Sequence, residues 1–311
     1  MKTQRSIFLL LLCCLIVQNL ATKRFLKFNE DGEFKIAQFT DLHFGVDRYD
    51  VKTIGVQRIL LDLEQPDFVA LTGDTITGRY SDTVEKGKKA WNKAVGEMAK
   101  RDIPWGLKQV QKGNCGNFNL EKIDLILKRL IKENPRLHGR FGYGCVQPNQ
   151  IDWFNEVSSE FSREYPNHMG IVLFHIPLPE MLEFWHTDIS FGTQEEIVCC
   201  PQNNTGLYQA MVDNGNIKLV LNGHDHINDY CTRSKSRAPD LWMCYGRKTG
   251  YGYYNPVPPM YHGARIIQLF NNQTTGTTFT TWIRDRQRRK IFQHLHKPDC
   301  ILDEQCVLPK V

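Results

Sequence analysis

Four short apolar runs, each stopping abruptly at a polar word, constrain this chain more than any other feature: FKIAQF before TDLHFG, DFVAL before TGDTITG, GIVLF before HIPLP, and IKLVL before NGHDH. Runs this short and rich in β-formers, bounded by Gly, Asp and Asn, read as buried strands feeding loops. Between them, apolar residues recur at three- and four-residue spacing over Thr53 to Leu63, Thr83 to Lys100 and Leu120 to Glu133, which predicts helices. Strands alternating with helices predict an α/β fold, with a largely parallel or mixed sheet and helices packed outside it. Two later runs, ARIIQLF and TTFTTWI, predict an antiparallel pair joined by NNQTTG, and the Gly, Pro and Tyr-rich stretch YGRKTGYGYYNPVPPMYHG predicts an ordered loop. A chain of 311 residues, 41% hydrophobic, can bury one such core. The simplest division is a signal peptide over 1–22, one catalytic domain over 23–290, and a C-terminal tail over 291–311.

The polar residues that carry chemistry follow the strand-like runs directly, which is where α/β folds place their sites. The first loop offers Asp41 and His43, spaced so that a bending strand end turns both side chains towards one ion. The second offers Asp74 behind Gly73, where glycine permits a tight turn and leaves the carboxylate free to bridge two cations. His175 closes the third run, and His224 and His226 close the fourth. Carboxylate and imidazole donors together suit zinc, iron or manganese. Taken singly, a DxH or GD pair is more often a turn or a helix cap than a ligand, and a lone His175 more often a satisfied core histidine. Asp225 reads as a capping residue between two ligands. The set, in one order and one context, outweighs those readings.

The order DLH, GD, GN, H and GHDH resembles the calcineurin-like metallophosphoesterase superfamily. The words FTDLHFG, ALTGDTITG, DIPWG, IVLFHIPLPE, NGHDHINDYC, CYGRKTGYG and TTWIR resemble its purple-acid-phosphatase-like secreted branch, from about Phe34 to Arg284. The resemblance implies a four-layer α/β/β/α sandwich with two metal ions on its loop rim. By position it implies that Asp41, His43 and His226 hold the first metal, Asp74 bridges, and Asn114, His175 and His224 hold the second. It implies hydrolysis of a phosphoric ester by hydroxide generated on the dinuclear centre, with Asp74, His224 and the position held by Cys115 taking part in catalysis. The substrate would be a phosphorylated small molecule or phosphoprotein.

Three departures accompany the resemblance. The family has Gly-Asn-His where this chain has Gly113, Asn114 and Cys115, and a thiol is a poor general acid. An alternative alignment places Asn117 at the ligand position. The stretch from Cys115 to GYGCVQPNQIDWF is short, so two core strands are expected to be missing, and GDTITG lacks the tyrosine found after the bridging aspartate in purple enzymes. A metal-binding pseudophosphatase, with the scaffold retained and turnover lost, is the second reading. An exported glycoprotein that works by binding a partner is the third. No HExxH helix is present, which argues against a zincin-type hydrolase.

Lys2 and Arg5 precede the apolar run from Ile7 to Val17, with Ala21 following, in the order of a secretory signal. An uncleaved N-terminal anchor is the alternative. Of ten cysteines, Cys13 and Cys14 fall in that segment; the even remainder suggests disulfides in an oxidising compartment, with Cys231–Cys244 and Cys300–Cys306 as local pairs. The sequons at Asn203 and Asn272 fit an exported glycoprotein. Secretion or an endomembrane lumen, lysosome or vacuole included, is therefore the expected location. Net charge is +5, with acids and bases mixed along the chain, so nucleic acid binding is not expected and the basic run Arg284 to Lys290 reads as a solvated strand edge or tail. No stable membrane span is expected in the mature chain.

Overall fold

A computed structural model describes residues 26–107, 145–166, 168–184, 189–201, 203–272 and 276–295. In chain order the strands are β1 Glu33–Phe39, β2 Phe68–Leu71, β3 Trp105–Leu107, β4 Gly170–Leu173, β5 Ile189–Phe191, β6 Ile217–Asn222, β7 Cys231–Arg233, β8 Trp242–Tyr245, β9 Gly263–Asn272, β10 Gly276–Asp285 and β11 Lys290–Leu295. The helices are α1 Asp47–Glu64, α2 Val84–Lys100, α3 Pro148–Glu164, α4 Pro179–Glu183 and α5 Leu207–Asn214. Two mixed sheets result. One runs β11-β10-β9-β1-β2-β3 and the other β4-β6-β8-β7-β5.

Alternation along the strands decides which way each face looks, because successive side chains point to opposite sides of a sheet. On β1, Phe34 and Ile36 point at the second sheet, while Ala37 and Phe39 point at α1 and α2. On β6, Leu219 and Leu221 meet the first sheet and Val220 the helices on the far side, where Ile217 also lies because the β4–β6 pairing shifts register between Ile217 and Leu219. Three buried clusters follow: α1 and α2 on the first sheet, sheet on sheet, and α3, α4 and α5 on the second. The architecture is the four-layer α/β/β/α sandwich expected from the sequence.

The expected elements largely coincide with observed ones, and α1 begins at Asp47, earlier than its periodicity suggested. The expected antiparallel pair is β9 and β10, in register from Gly263↔Asp285 to Asn272↔Gly276. Arg284 to Lys290 forms the end of β10 and the turn into β11 rather than a tail, because Arg284 pairs with buried Glu64 and Arg289 donates to Asp285. Cys231 and Cys244 lie directly opposite each other on β7 and β8 and form the disulfide expected of them. The expected helix at Leu120–Glu133, the two strands expected to be missing from the middle segment, and the Cys300–Cys306 pair lie outside the described residues.

What positions the site is the parallelism. β1 pairs parallel with β2, and β4 with β6. All four C-terminal ends therefore emerge at one edge of the sandwich. Backbone bonds stitch the tips in pairs: Asp41 N–H donates to Gly73 O at 3.2 Å, His43 N–H to Asp74 O at 2.8 Å, and Gly223 N–H to His175 O at 3.0 Å. Across the sheets, His224 N–H donates to Asp41 Oδ2 at 3.1 Å and Gln38 Nε2 to Asn222 O at 2.9 Å.

Candidate metal centre

The tips after β1, β2, β4 and β6 bring five side chains to one point. Asp41, His43 and His226 form one group of donor atoms, and Asp41, Asp74 and His175 a second, each group within 4.8 Å. Asp74 Oδ2 is 3.4 Å from Nε2 of His43 and 3.4 Å from Nε2 of His175. Asp41 Oδ1 is 3.3 Å from His226 Nε2 and 3.7 Å from His175 Nε2. His224 stands beside these groups, its ring edge-on to His175 with centroids 5.2 Å apart. Asn114 and Cys115 lie outside the described residues.

The backbone is strained where the donors sit. Asp41 (φ 52°), His43 (φ 50°), Asp74 (φ 44°) and His224 (φ 85°) all occupy the left-handed region. For a residue with a Cβ this costs roughly 1–2 kcal/mol each, and it persists only where surrounding structure enforces it. Here it turns side chains that would alternate along a strand towards a common point. Gly73, at φ 116°, makes room as well, since a Cβ there would collide with the His175 ring.

The far nitrogens of three imidazoles are held. His175 Nδ1 is 3.0 Å from Thr72 O, His226 Nδ1 is 2.9 Å from Tyr254 O, and His43 Nδ1 is 3.4 Å from Thr77 Oγ1. A carbonyl only accepts, so His175 and His226 carry their protons on Nδ1 and, when neutral, present a lone pair at Nε2. His226 Nε2 faces His43 Nε2 at 3.2 Å, and the buried His175 Nε2 is turned to Asp74 Oδ2 at 3.4 Å. Imidazole nitrogens and carboxylate oxygens converging on one buried point suit a cation. This donor set therefore fits two metal ions with mixed oxygen and nitrogen ligands.

Charge in the site is redistributed accordingly. Burial pushes the His43 imidazole down to about 3 and His224 down to about 4, with Lys248 and His175 respectively adding to the effect. His175 moves the other way, to about 9: burial opposes its charge, but the carboxylates of Asp41 and Asp74 prevail. Asp41 is held well below its ordinary value, because His175, His226 and Lys248 overcome the burial that would raise it. Burial lifts Asp225 to about 7, and its Oδ2 accepts from Tyr245 Oη at 2.5 Å.

The site opens into a cleft of about 310 Å³ lined by His43, Asp74, Ile76, Thr77, Gly78, Cys199, His224, Asp225, His226, Tyr253 and Tyr254. Several of these were not singled out from the sequence. Tyr254 accepts the His226 Nδ1 proton at its carbonyl and stacks on that ring at 4.0 Å. Fully buried Lys248 donates from Nζ to Asp41 O at 3.0 Å and so fixes the β1 tip. Both come from the Gly and Tyr-rich loop, whose word CYGRKTGYG was visible but carried no donor pattern of its own.

Comparison with known proteins agrees with this geometry. The family model "Calcineurin-like phosphoesterase" matches residues 34–228. Two Arabidopsis thaliana relatives are "Probable inactive purple acid phosphatase 29", 28% identical over 90% of this chain and 90% of its own length, and "Probable inactive purple acid phosphatase 28", 27% identical over 78% and 77%. Among solved structures, a dimetal phosphatase from Danio rerio superposes with a TM-score of 0.52, covering 83% of this chain and 98% of that one at 12% identity, a likeness of fold.

Proposed function

The chain belongs to the calcineurin-like phosphoesterase family, and on that premise we propose that it is a metal-dependent phosphatase acting on a phosphorylated small molecule or phosphoprotein. Asp41, His43 and His226 would hold one cation and His175, His224 and Asn114 the other, with Asp74 between them. Iron, zinc and manganese all suit such ligands. The observation that carries the reading is the placement of Asp74 Oδ2, at the same distance from His43 and from His175.

When bound, the two cations supply Lewis-acid charge for phosphoryl oxygens and lower the pKa of a water. The protein's own share is preorganisation. Thr72, Thr77 and Tyr254 hold the imidazoles from behind so that the inward nitrogens stay aimed at the carboxylates. Asp74 leaves nearly half its side chain exposed, facing the cleft through which a phosphoester enters. His224 lines the same cleft and stays neutral near pH 7, so it offers a lone pair rather than a charge. Tyr253 and Tyr254 wall one side and limit the water around the reacting group. We place the protein outside the cell or in an endomembrane lumen; the Cys231–Cys244 disulfide supports this, and no helix among the described residues is long and apolar enough to cross a membrane.

The test is hydrolysis of para-nitrophenyl phosphate by purified protein, with and without chelator, beside Asp74→Asn. Turnover should need metal and fall by about two orders of magnitude in the variant, equivalent to about 2.7 kcal/mol in the barrier. Undiminished turnover in folded Asp74→Asn would overturn the assignment. A second reading, a metal-binding pseudophosphatase, draws support from the names of the two plant relatives. It predicts stoichiometric metal with no turnover.

A further inference from the structure

Tyr253 stands where no donor is needed. It is 69% exposed at the mouth of the cleft, yet its backbone is held at φ 67°, a left-handed conformation that a bulky residue adopts only when the surroundings demand it. The demand is identifiable. The loop before it lies directly against the β1 tip, so closely that a Cβ on Gly252 would strike the backbone of His43. Asn255 Nδ2 donates to Tyr253 O at 3.3 Å and holds the turn on its other side. The outcome is an aromatic ring laid over a candidate metal ligand: Tyr253 stacks on His43 at 5.4 Å with the planes 19° apart, and meets the edge of His226 at 6.2 Å.

A ring that served only to shield His43 would be expected to be covered itself. Tyr253 instead turns its outer face to solvent, beside a second exposed tyrosine. Tyr254, 39% exposed, lies 5.7 Å away, and its hydroxyl donates to Glu196. Apolar surface at the mouth of a polar, charged site is spent on recognition rather than folding.

We propose that Tyr253 is the specificity-determining residue of the cleft, a shelf on which a planar leaving group lies while its phosphate reaches Asp74 and the histidines. The substrates it favours are phosphate esters whose leaving group carries an aromatic ring, either an aryl phosphate or a nucleotide whose base reaches the shelf. Offset stacking of two rings supplies this preference without any directional bond, so the shelf accepts different rings but discriminates against leaving groups that carry none. This inference rests on the phosphatase reading above.

The experiment compares phenyl phosphate with propyl phosphate in the metal-loaded full chain, for the wild type and for Tyr253→Phe, Tyr253→Trp and Tyr253→Leu. Leucine keeps His43 covered but removes the flat ring. The quantity read is the ratio of the two kcat/KM values within each protein; because each variant is compared with the wild type, the intrinsic difference in leaving-group acidity cancels. That ratio should fall about tenfold in Tyr253→Leu and stay within about twofold of wild type in the Phe and Trp variants. A parallel measurement, the affinity for phenylphosphonate relative to methylphosphonate, reads the same shelf without turnover and should move in step. Equal losses on both substrates in Tyr253→Leu would overturn the proposal and reduce Tyr253 to a cover for His43. If no substrate is turned over, the phosphatase reading fails and the phosphonate ratio alone decides: an aryl preference lost only in the leucine variant sustains the shelf, and no preference in the wild type refutes it.

Discussion

Two buried polar clusters lie three residues apart on the same word of sequence, NGHDHINDYC, and they are built on opposite principles. Around Asp229 every demand is met. Its carboxylate accepts Thr193 N–H at 2.7 Å and Arg247 Nε at 2.6 Å, its carbonyl accepts from Arg265, and Arg265 in turn donates to Tyr245 O at 2.7 Å and Thr281 Oγ1 at 3.0 Å. Around His226 the demands conflict. Nitrogen faces nitrogen, His175 Nε2 is 3.4 Å from Asp74 Oδ2, longer than a charge-assisted hydrogen bond, and four backbones are held left-handed. The first cluster is a finished piece of structure, tying the loop before β7 to β8, β9 and β10. The second is a convergence of imidazole nitrogens and carboxylate oxygens on one point, a donor set that suits a bound cation. Completeness of hydrogen bonding thus separates a structural from a functional cluster where burial and composition do not.

That contrast can be broken most forcefully at Asp229. Replacing it by Ala leaves Arg247 and Arg265 buried without their counter-charge, and should cost about 3–5 kcal/mol in denaturant unfolding, whether or not metal is present. A loss that disappears when metal is added would mean the two clusters are one. Next comes the response to metal. The rim should gain about 2.7 kcal/mol in unfolding free energy at a metal concentration 100 times Kd, and a chelator should reverse it. An unchanged melting temperature across the titration would remove the distinction from the other side.

The smallest effect sharpens the comparison with a charge cluster on the outer helices. Glu97 on α2 meets Arg58, Lys100 and Arg101 at 3.1, 2.9 and 2.8 Å. Burial would raise its pKa, but these three cations win and hold it at about 2, down from 4.5. A depressed carboxylate contributes stability that is present above its unfolded value and lost as pH falls. Unfolding free energy should therefore decline between about pH 4.5 and pH 2, and Glu97→Gln should flatten that part of the profile. Since the three cations are partly solvated, the effect should stay near 1 kcal/mol. A profile identical to wild type would mean the cluster contributes nothing.

The sequence made the donors legible because each follows a β-rich run, and the four-layer fold legible through the family those words resemble. Other parts were readable only in hindsight. α3 announces itself by Pro148 at its first turn and the reciprocal Gln147 and Gln150 bonds, yet its weakly apolar face buries only Phe154 and Ser158 in full. Lys248, Tyr253 and Tyr254 were hidden for a different reason. Lys248 reaches Asp41 across 207 residues and Tyr254 reaches His226 across 28, and a loop has no periodicity to signal such contacts. Nor did spacing reveal that Asp41 and Asp74 each approach two histidines, since that depends on how two separate sheets stack.

The most direct test of the central claim is the metal content of the purified protein after loading with iron, zinc or manganese and exhaustive dialysis. Wild-type protein should retain two ions per chain and Asp74→Asn one or fewer, with both proteins folded. Wild-type protein that retains none, or a variant that keeps both, would contradict the account.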